Sequence, residues 1–315
     1  MNKLTEMGKA ARGAFRRMAQ ARDEIKRKAL HATAEGLAER QVDILAANRQ
    51  DVQGAREAGL SEALIDRLTL TPARLEAMAS DVRSVAALPD PVGEKFDERT
   101  LPSGLTVWRQ RVPLGVLGVI YESRPNVTID VAALAVKTGN VAILRGGKET
   151  LNSNRALVEV VHQGLAACGL PAEAVQFVND PDRVLLAELL RLHQYVDIII
   201  PRGGNALHQF CRENSSIPVI IGGIGICHLY VDESADLVRA VPVIQNAKVQ
   251  RPSVCNALDT VLVHKSVAAA FLPLVVARLA EDGVSFRAEA RALAALGNGA
   301  ALEVVHPAGP EDFDT

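Results

Sequence analysis

The stretch Val116-Leu117-Gly118-Val119-Ile120-Tyr121, followed after a helical run by Val141-Ala142-Ile143-Leu144 and the turn Arg145-Gly146-Gly147-Lys148, decides the fold. Both apolar runs have strand length and lack the apolar–polar alternation of a half-wet strand. They read as strands covered on both faces, the habit of a parallel sheet. Further strands are expected at 175–178, 196–200 and 219–221, the last followed by 228–231, with helical runs near 127–138, 151–168, 181–193 and 204–213. Strands alternating with helices make a doubly wound sheet, whose ligand crevice lies at the carboxyl ends of the strands. Asn126, the Arg145-Gly146-Gly147-Lys148 turn and the Pro201-Arg202-Gly203-Gly204 turn fall at such ends. A glycine turn that opens a helix offers unpaired N–H groups to a phosphate. Neither turn carries the full G-x-G-x-x-G spacing, and a glycine pair after a strand also serves as a plain tight turn. Asn126, just after Pro125, reads on the residues alone as a turn or cap residue. Gly222-Gly223-Ile224-Gly225 is assigned no ligand.

On the amino-terminal side lie some ninety residues of helical pattern, rich in Ala, Leu, Arg and Glu. Ile25, Ala29, Leu30, Ala34 and Leu37 recur at helical spacing. Breaks are expected at Gly54, at Gly59 and at Leu70-Thr71-Pro72, where Thr71 caps a helix that Pro72 begins. Leu88-Pro89-Asp90-Pro91-Val92-Gly93 closes this layer, and 98–111 reads as a hairpin turning at Pro102-Ser103-Gly104.

On the carboxyl side, residues 232–315 form a smaller α/β unit after a first domain of 1–231. Its helix, running to about 248, ends at Gln250-Arg251-Pro252-Ser253-Val254-Cys255-Asn256-Ala257-Leu258, because Pro252 lacks an N–H and biases Arg251 away from helix. A strand at 259–264, a helix at 266–281, a short strand near 284–287 and another helix follow. With so few strands, this unit is expected to leave an apolar face open. Free cysteines are most often buried and inert, which suits Cys168, Cys211 and Cys227. Cys255 sits instead on a polar connector, with Arg251 and Lys248 supplying positive charge beside a thiolate. The residues alone leave both packing and chemistry open for it.

Composition narrows the function classes. A net charge of −2 gives no basic field for nucleic acid, and 3% aromatics leaves little for base or sugar stacking. Four scattered cysteines are no disulfide framework, the Cys and His spacings are no zinc site, and no apolar run reaches membrane-spanning length. The expectation is a cytoplasmic protein that binds neither nucleic acid nor membrane and holds no metal.

The cysteine segment, together with Tyr121-Glu122-Ser123-Arg124-Pro125-Asn126-Val127-Thr128, Ile199-Ile200-Pro201-Arg202-Gly203-Gly204, Leu144-Arg145-Gly146-Gly147-Lys148-Glu149 and Asn152-Ser153-Asn154, resembles the γ-glutamyl phosphate reductases, a branch of the aldehyde dehydrogenase superfamily. The resemblance runs in order through the whole chain. It implies an aldehyde dehydrogenase-like α/β fold: a doubly wound NADP-binding domain with the 98–111 hairpin as its oligomer arm, and a smaller α/β catalytic domain whose C-terminal part is absent here. It further implies NADPH-dependent reduction of L-glutamyl 5-phosphate to L-glutamate 5-semialdehyde and phosphate in proline biosynthesis. Cys255 takes the place of the thioester-forming nucleophile and Asn126 that of the oxyanion-hole amide. Arg145, Gly146, Gly147, Lys148, Pro201, Arg202, Gly203 and Gly204 take the cofactor side. Either Arg145 or Lys148 would meet the 2′-phosphate of NADPH/NADP, and Arg251 and Lys248 would assist the departing substrate phosphate. Aldehyde-oxidising relatives carry Glu-Leu-Gly-Gly where this chain reads Ile220-Ile221-Gly222-Gly223, so the water-activating carboxylate is missing, as suits a reductase that must keep its thioester from hydrolysis. A homo-oligomer when full length and a partnership with glutamate 5-kinase, which makes the labile acyl phosphate, are also implied. The alternatives are an aldehyde dehydrogenase for another acyl phosphate or aldehyde, and a truncated, inactive or scaffolding chain of the same fold.

Overall fold

A computed structural model describes residues 3–222, 225–252, 254–297 and 302–313. The chain divides into two compact units, Met1–Gly222 and Gly223–Thr315.

Five helices open the first unit: α1 (Lys3–Met18), α2 (Asp23–Glu39), α3 (Gln41–Glu57), α4 (Glu62–Leu68) and α5 (Pro72–Ala87). Thr71 caps α5 through its hydroxyl, which accepts from Arg74 N at 3.1 Å, with Pro72 as the first helical residue. Gly59 ends α3 with φ +72°, whereas Gly54 does not break it. At Gly54 a helix already nucleated on both sides absorbs glycine's cost of about 1 kcal/mol. The hairpin pairs β1 (Lys95–Thr100) with β2 (Thr106–Gln110) antiparallel, and its turn uses Gly104 at φ +85°.

The central sheet holds β3 (Val116–Tyr121), β4 (Val141–Arg145), β5 (Val175–Phe177) and β6 (Ile198–Arg202), in the order β5-β4-β3-β6 and parallel throughout. α6 (Pro125–Lys137) and α7 (Leu151–Ala167) carry the chain from β3 to β4 to β5. α8 (Arg183–Leu189) then returns it to the far side of β3, where β6 leads into α9 (Asn205–Asn214). The winding reverses between β3 and β6, which places the switch-point crevice at their carboxyl ends. All six residues of β3 and four of the five in β4 are buried, as their unbroken apolar runs require.

Two strand expectations need correction. The strand expected at 196–200 instead spans Ile198–Arg202, so Pro201 and Arg202 belong to β6, paired with Ile120 and Tyr121, and only Gly203 and Gly204 form the turn. Pro201 is tolerated because Ile199 N–H, two residues earlier, points outward to Pro218 O at 2.8 Å; the missing N–H of Pro201 therefore lies on the edge side. The strand expected at 219–221 shrinks to one bridge, Ile199 with Val219, since Pro218 cannot donate and glycine follows.

Charged side chains fasten α1 to the sheet and α2 to its neighbours. Arg12 grips Asp197 through two bonds of 2.7 and 2.6 Å, and Asp197 also accepts from Val116 N at 2.7 Å, at the start of β3. Gly115 (φ +129°) is required there, since a Cβ would collide with the Asp197 carboxylate. The fully buried Lys26 and Lys137 ammonium groups meet Asp90 at 2.6 Å and Asp23 at 2.7 Å, the latter ammonium also donating to Ala86 O.

The second unit pairs β7 (His228–Val231) with β8 (Thr260–Val263), and β9 (Phe286–Ala288) with β10 (Val305–Pro307), both parallel. β7 pairs inside this unit, so the division precedes it rather than falling at 231/232. α10 (Leu237–Val249), α11 (Lys265–Ala280) and α12 (Ala290–Leu296) complete it, around Val231, Ile244, Leu258, Phe271, Val275 and Leu279. Tyr230 and Leu262, register partners, are 56% and 48% exposed, so the apolar face expected to stay open is open. No helix among the described residues is long and apolar enough to cross a membrane.

Candidate active site

In the first unit a cleft of about 310 Å³ opens at the carboxyl ends of β3 and β4, lined among others by Tyr121, Glu122, Ser123, Arg145, Gly147 and Glu149. Its floor is rigid. Tyr121 OH bonds to Thr128 Oγ1 at 2.7 Å, Thr128 donates to Asn154 Oδ1 at 2.8 Å, and Asn154 Nδ2 donates to Thr150 Oγ1 at 3.0 Å. Burial pushes the Tyr121 phenol well above its ordinary range, so it remains a donor. A Cβ on Gly146 would strike Asn154 Nδ2 and the Tyr121 ring, and one on Gly147 would meet Ser123 Oγ at 2.9 Å. Both glycines are therefore closely packed at the crevice, where a side chain would displace Asn154, Glu149 or Ser123.

The Asn152-Ser153-Asn154 motif is structural. Asp51 of α3 caps α7 from outside, its carboxylate accepting from Ser153 N at 2.7 Å, Ser153 Oγ at 2.6 Å, and Asn152 N and Nδ2 at 3.2 and 2.9 Å. Asn48 adds Leu68 O, Ser153 Oγ and Leu70 N.

The two cations after β4 differ in how they are held. Arg145 donates to Gly146 O at 3.0 Å and Pro181 O at 2.9 Å, and its Nε is buried with no partner among the described residues. Burial, chiefly, moves its guanidinium below the ordinary arginine range, with Glu149 opposing. Lys148 is exposed and has no partner among the described residues. Across the crevice, Gly204 heads α9, and its N–H donates to Glu122 Oε1 at 3.0 Å. A Cβ on Gly203 would meet the same oxygen at 2.6 Å. The α9 terminus thus already binds a carboxylate, which shows that it suits an anion. The glycine cradle, the helix terminus and the exposed Lys148 and Arg202 fit a dinucleotide phosphate. Sequence reading missed Glu122, Ser123 and Glu149 here; Ser123 Oγ donates to Glu149 Oε2 at 2.8 Å. Their signal was only position, at the end of β3 and just after β4.

Asn126 is the second residue of α6, not its cap. It is exposed and donates through Nδ2 to Asp130 at 3.0 Å, leaving one amide N–H available. Burial raises the Asp130 carboxyl above its ordinary range, with Asn126 pulling it down and Asp81 pushing it up.

In the second unit, α10 ends at Gln250 and the connector turns back. Leu258 N bonds Ala247 O at 3.0 Å, and buried Ala257 and Leu258 anchor the return. Cys255 is left on the outside, the one exposed cysteine of four. Cys168 packs half-buried at the end of α7; Cys211 is fully buried, and burial pushes its thiol up to about 11. Arg251 is exposed and Lys248 half-buried, in the same unit as the thiol; Ser253 lies outside the described residues. Ile220 and Ile221 are 49% and 42% exposed.

The chain matches the aldehyde dehydrogenase family over residues 2–306. It is 58% identical to the gamma-glutamyl phosphate reductase of Aeromonas salmonicida over 312 residues, which covers 99% of this chain and 74% of that protein. It is 56% identical to that of Roseiflexus castenholzii, over 99% and 75%. The crystal structure of the Thermotoga maritima gamma-glutamyl phosphate reductase superposes with a TM-score of 0.90 at 44% identity, covering all of this chain and 74% of that one. The Saccharomyces cerevisiae enzyme of the same name gives 0.66 at 32%, over 97% and 78%. With an exposed thiol on the connector, a switch-point crevice and these matches along its length, the chain belongs to the aldehyde dehydrogenase family, in its γ-glutamyl phosphate reductase branch.

Proposed function

We propose that this chain reduces L-glutamyl 5-phosphate to L-glutamate 5-semialdehyde, with NADPH as reductant and a thioester on Cys255, as a step of proline biosynthesis. The observation that carries the reading is the exposure of Cys255 on an anchored connector, while the other three cysteines are buried or half-buried. Cys255 Sγ attacks the γ-carbonyl, phosphate leaves, and the thioester remains. The Cys255 backbone N–H receives the charge that develops on the carbonyl oxygen, a donor of this kind contributing about 3 kcal/mol, and the resemblance gives the Asn126 amide the same role. Arg251 and Lys248 ease phosphate departure. NADPH, when bound, supplies the hydride that takes the thioester to the aldehyde level. Cys255 then leaves as thiolate when the thiohemiacetal collapses. The absence of a carboxylate at Ile220-Ile221 supports retention of the thioester against water.

On the cofactor side, Gly203 and Gly204 receive phosphate at α9, with Gly146 and Gly147 forming the facing wall. Of the two cations, Lys148 is the better candidate for the 2′-phosphate, because Arg145 is already committed to two backbone carbonyls. Glu122 must release Gly204 N–H for a phosphate to enter. The 95–110 hairpin, with Leu105 and Trp108 exposed, serves as the arm of a homo-oligomer. The lability of the acyl phosphate supports a kinase partner that delivers it.

The test runs the reaction backwards with semialdehyde, phosphate and NADP, following NADPH absorbance. Phosphate-dependent NADP reduction, abolished in Cys255→Ala, is expected. Undiminished turnover by Cys255→Ala would overturn the reading.

A further inference from the structure

We propose that Cys227 is the resolving thiol of Cys255, so that oxidation of the exposed thiol ends in a Cys227–Cys255 disulfide rather than in irreversible over-oxidation. The inference rests on the second unit alone and does not need the thioester reading. Cys227 Sγ donates to the carbonyl oxygen of Cys255 at 3.4 Å. A sulfur hydrogen bond is weak and does not by itself explain the pairing. What matters is the placement. Cys227 sits immediately before β7, its N–H bonded to Asp259 Oδ2 at 3.0 Å and its carbonyl accepting from Asp259 N at 3.1 Å and Thr260 N at 3.0 Å. It is therefore fixed, half-buried, beneath a loop that carries Cys255 exposed. The Cys255 side chain leaves the chain one bond from the carbonyl group that the Cys227 sulfur already touches. A disulfide needs Cβ atoms about 3.8 Å apart, a separation that the exposed loop has to reach for the cross-link to form.

The chemistry balances with hydrogen peroxide as oxidant. The Cys255 thiolate attacks peroxide; an S–O bond forms, the O–O bond breaks, and hydroxide leaves. The Cys227 sulfur then attacks the sulfenyl sulfur; S–S forms, S–O breaks, and the departing oxygen leaves as water with the Cys227 proton. Two thiols lose two electrons and peroxide becomes two waters, one formed when the first hydroxide takes up the Cys255 proton released to solvent. A thiol reductant reverses the bond, whereas sulfinic and sulfonic acids at Cys255 would be lost to the enzyme.

The test treats the whole chain with a slight excess of hydrogen peroxide, digests it without reduction and maps the peptides by mass. The expected result is a cross-linked pair carrying Cys227 and Cys255, two hydrogens lighter than the free peptides and released by dithiothreitol. In Cys227→Ser the cross-link is absent, Cys255 accumulates sulfinic acid, and the fraction of Cys255 that iodoacetamide alkylates after dithiothreitol falls several-fold. Cys227→Ala, with its circular dichroism matched to the parent, guards against a folding artefact. Sulfinic acid at Cys255 of the parent without a cross-link, equal recovery in the parent and in Cys227→Ser, or a cross-link to Cys168 or Cys211 would overturn the proposal. A Cys255→Ala chain that stayed active would sink the thioester mechanism and leave the cross-link result standing, so the two failures are distinct.

Discussion

Glu122 shows how one side chain can set the state of a site. Its carboxylate occupies the α9 terminus, which the proposed cofactor phosphate also needs. Glu122→Gln removes the competing charge and should tighten NADPH binding roughly two- to tenfold, in proportion to what an anion gains at a helix terminus. Fluorescence titration measures it; weaker binding would mean that Glu122 assists the cofactor instead. Lys148→Ala should weaken NADPH by roughly three- to tenfold and NADH much less, since only the former carries the extra phosphate. Asp130 offers a pH signature. Its folded-state carboxyl is raised, so the native state holds a proton that the unfolded chain has released, and stability falls as pH rises from the ordinary carboxylate range through the raised value. Asp130→Asn should therefore flatten that fall, giving a larger gain in urea midpoint at pH 7 than at pH 4. At this scale the sequence was readable where exposure follows from a local flank, as at Cys255. It was silent at Glu122, Asp51 and Cys227, whose partners lie 82, 102 and 28 positions away.

The elements owe their clarity to burial and their end points to partners. β3 and β4 announced themselves because strands covered on both faces need unbroken apolar residues. The end of β6 was misread because Pro201 looks like a breaker until the sheet shows that its nitrogen faces an open edge. The bridge at Val219 was overread as a strand for the opposite reason: three apolar residues looked sufficient, and Pro218 removed a donor. The start of α7 depends on Asp51, a cap supplied by another helix. Asp51→Ala leaves Ser153 and Asn152 N–H groups without their acceptor beside a buried motif, and should cost about 2–3 kcal/mol in urea unfolding. A change below about 0.5 kcal/mol would show that water replaces the carboxylate.

Across the molecule, the first unit is tied together by Arg12–Asp197 at the sheet and by the buried Lys26 and Lys137 ammonium groups, and the second unit leaves apolar strand residues exposed. Removing Asp197 strips Arg12 of both bonds and leaves Val116 N–H unsatisfied, so Asp197→Ala should lower Tm by several degrees, whereas the more exposed Arg83–Glu76 pair should not register. The whole chain also carries the central claim, that Cys255 holds a phosphate-labile thioester. With semialdehyde and NADP but no phosphate, the account predicts a burst of one NADPH per chain and an acyl mass on the Cys255 peptide. Adding phosphate should then discharge the acyl group and start continuous turnover. Steady turnover without phosphate, or a burst with no adduct at Cys255, would contradict it.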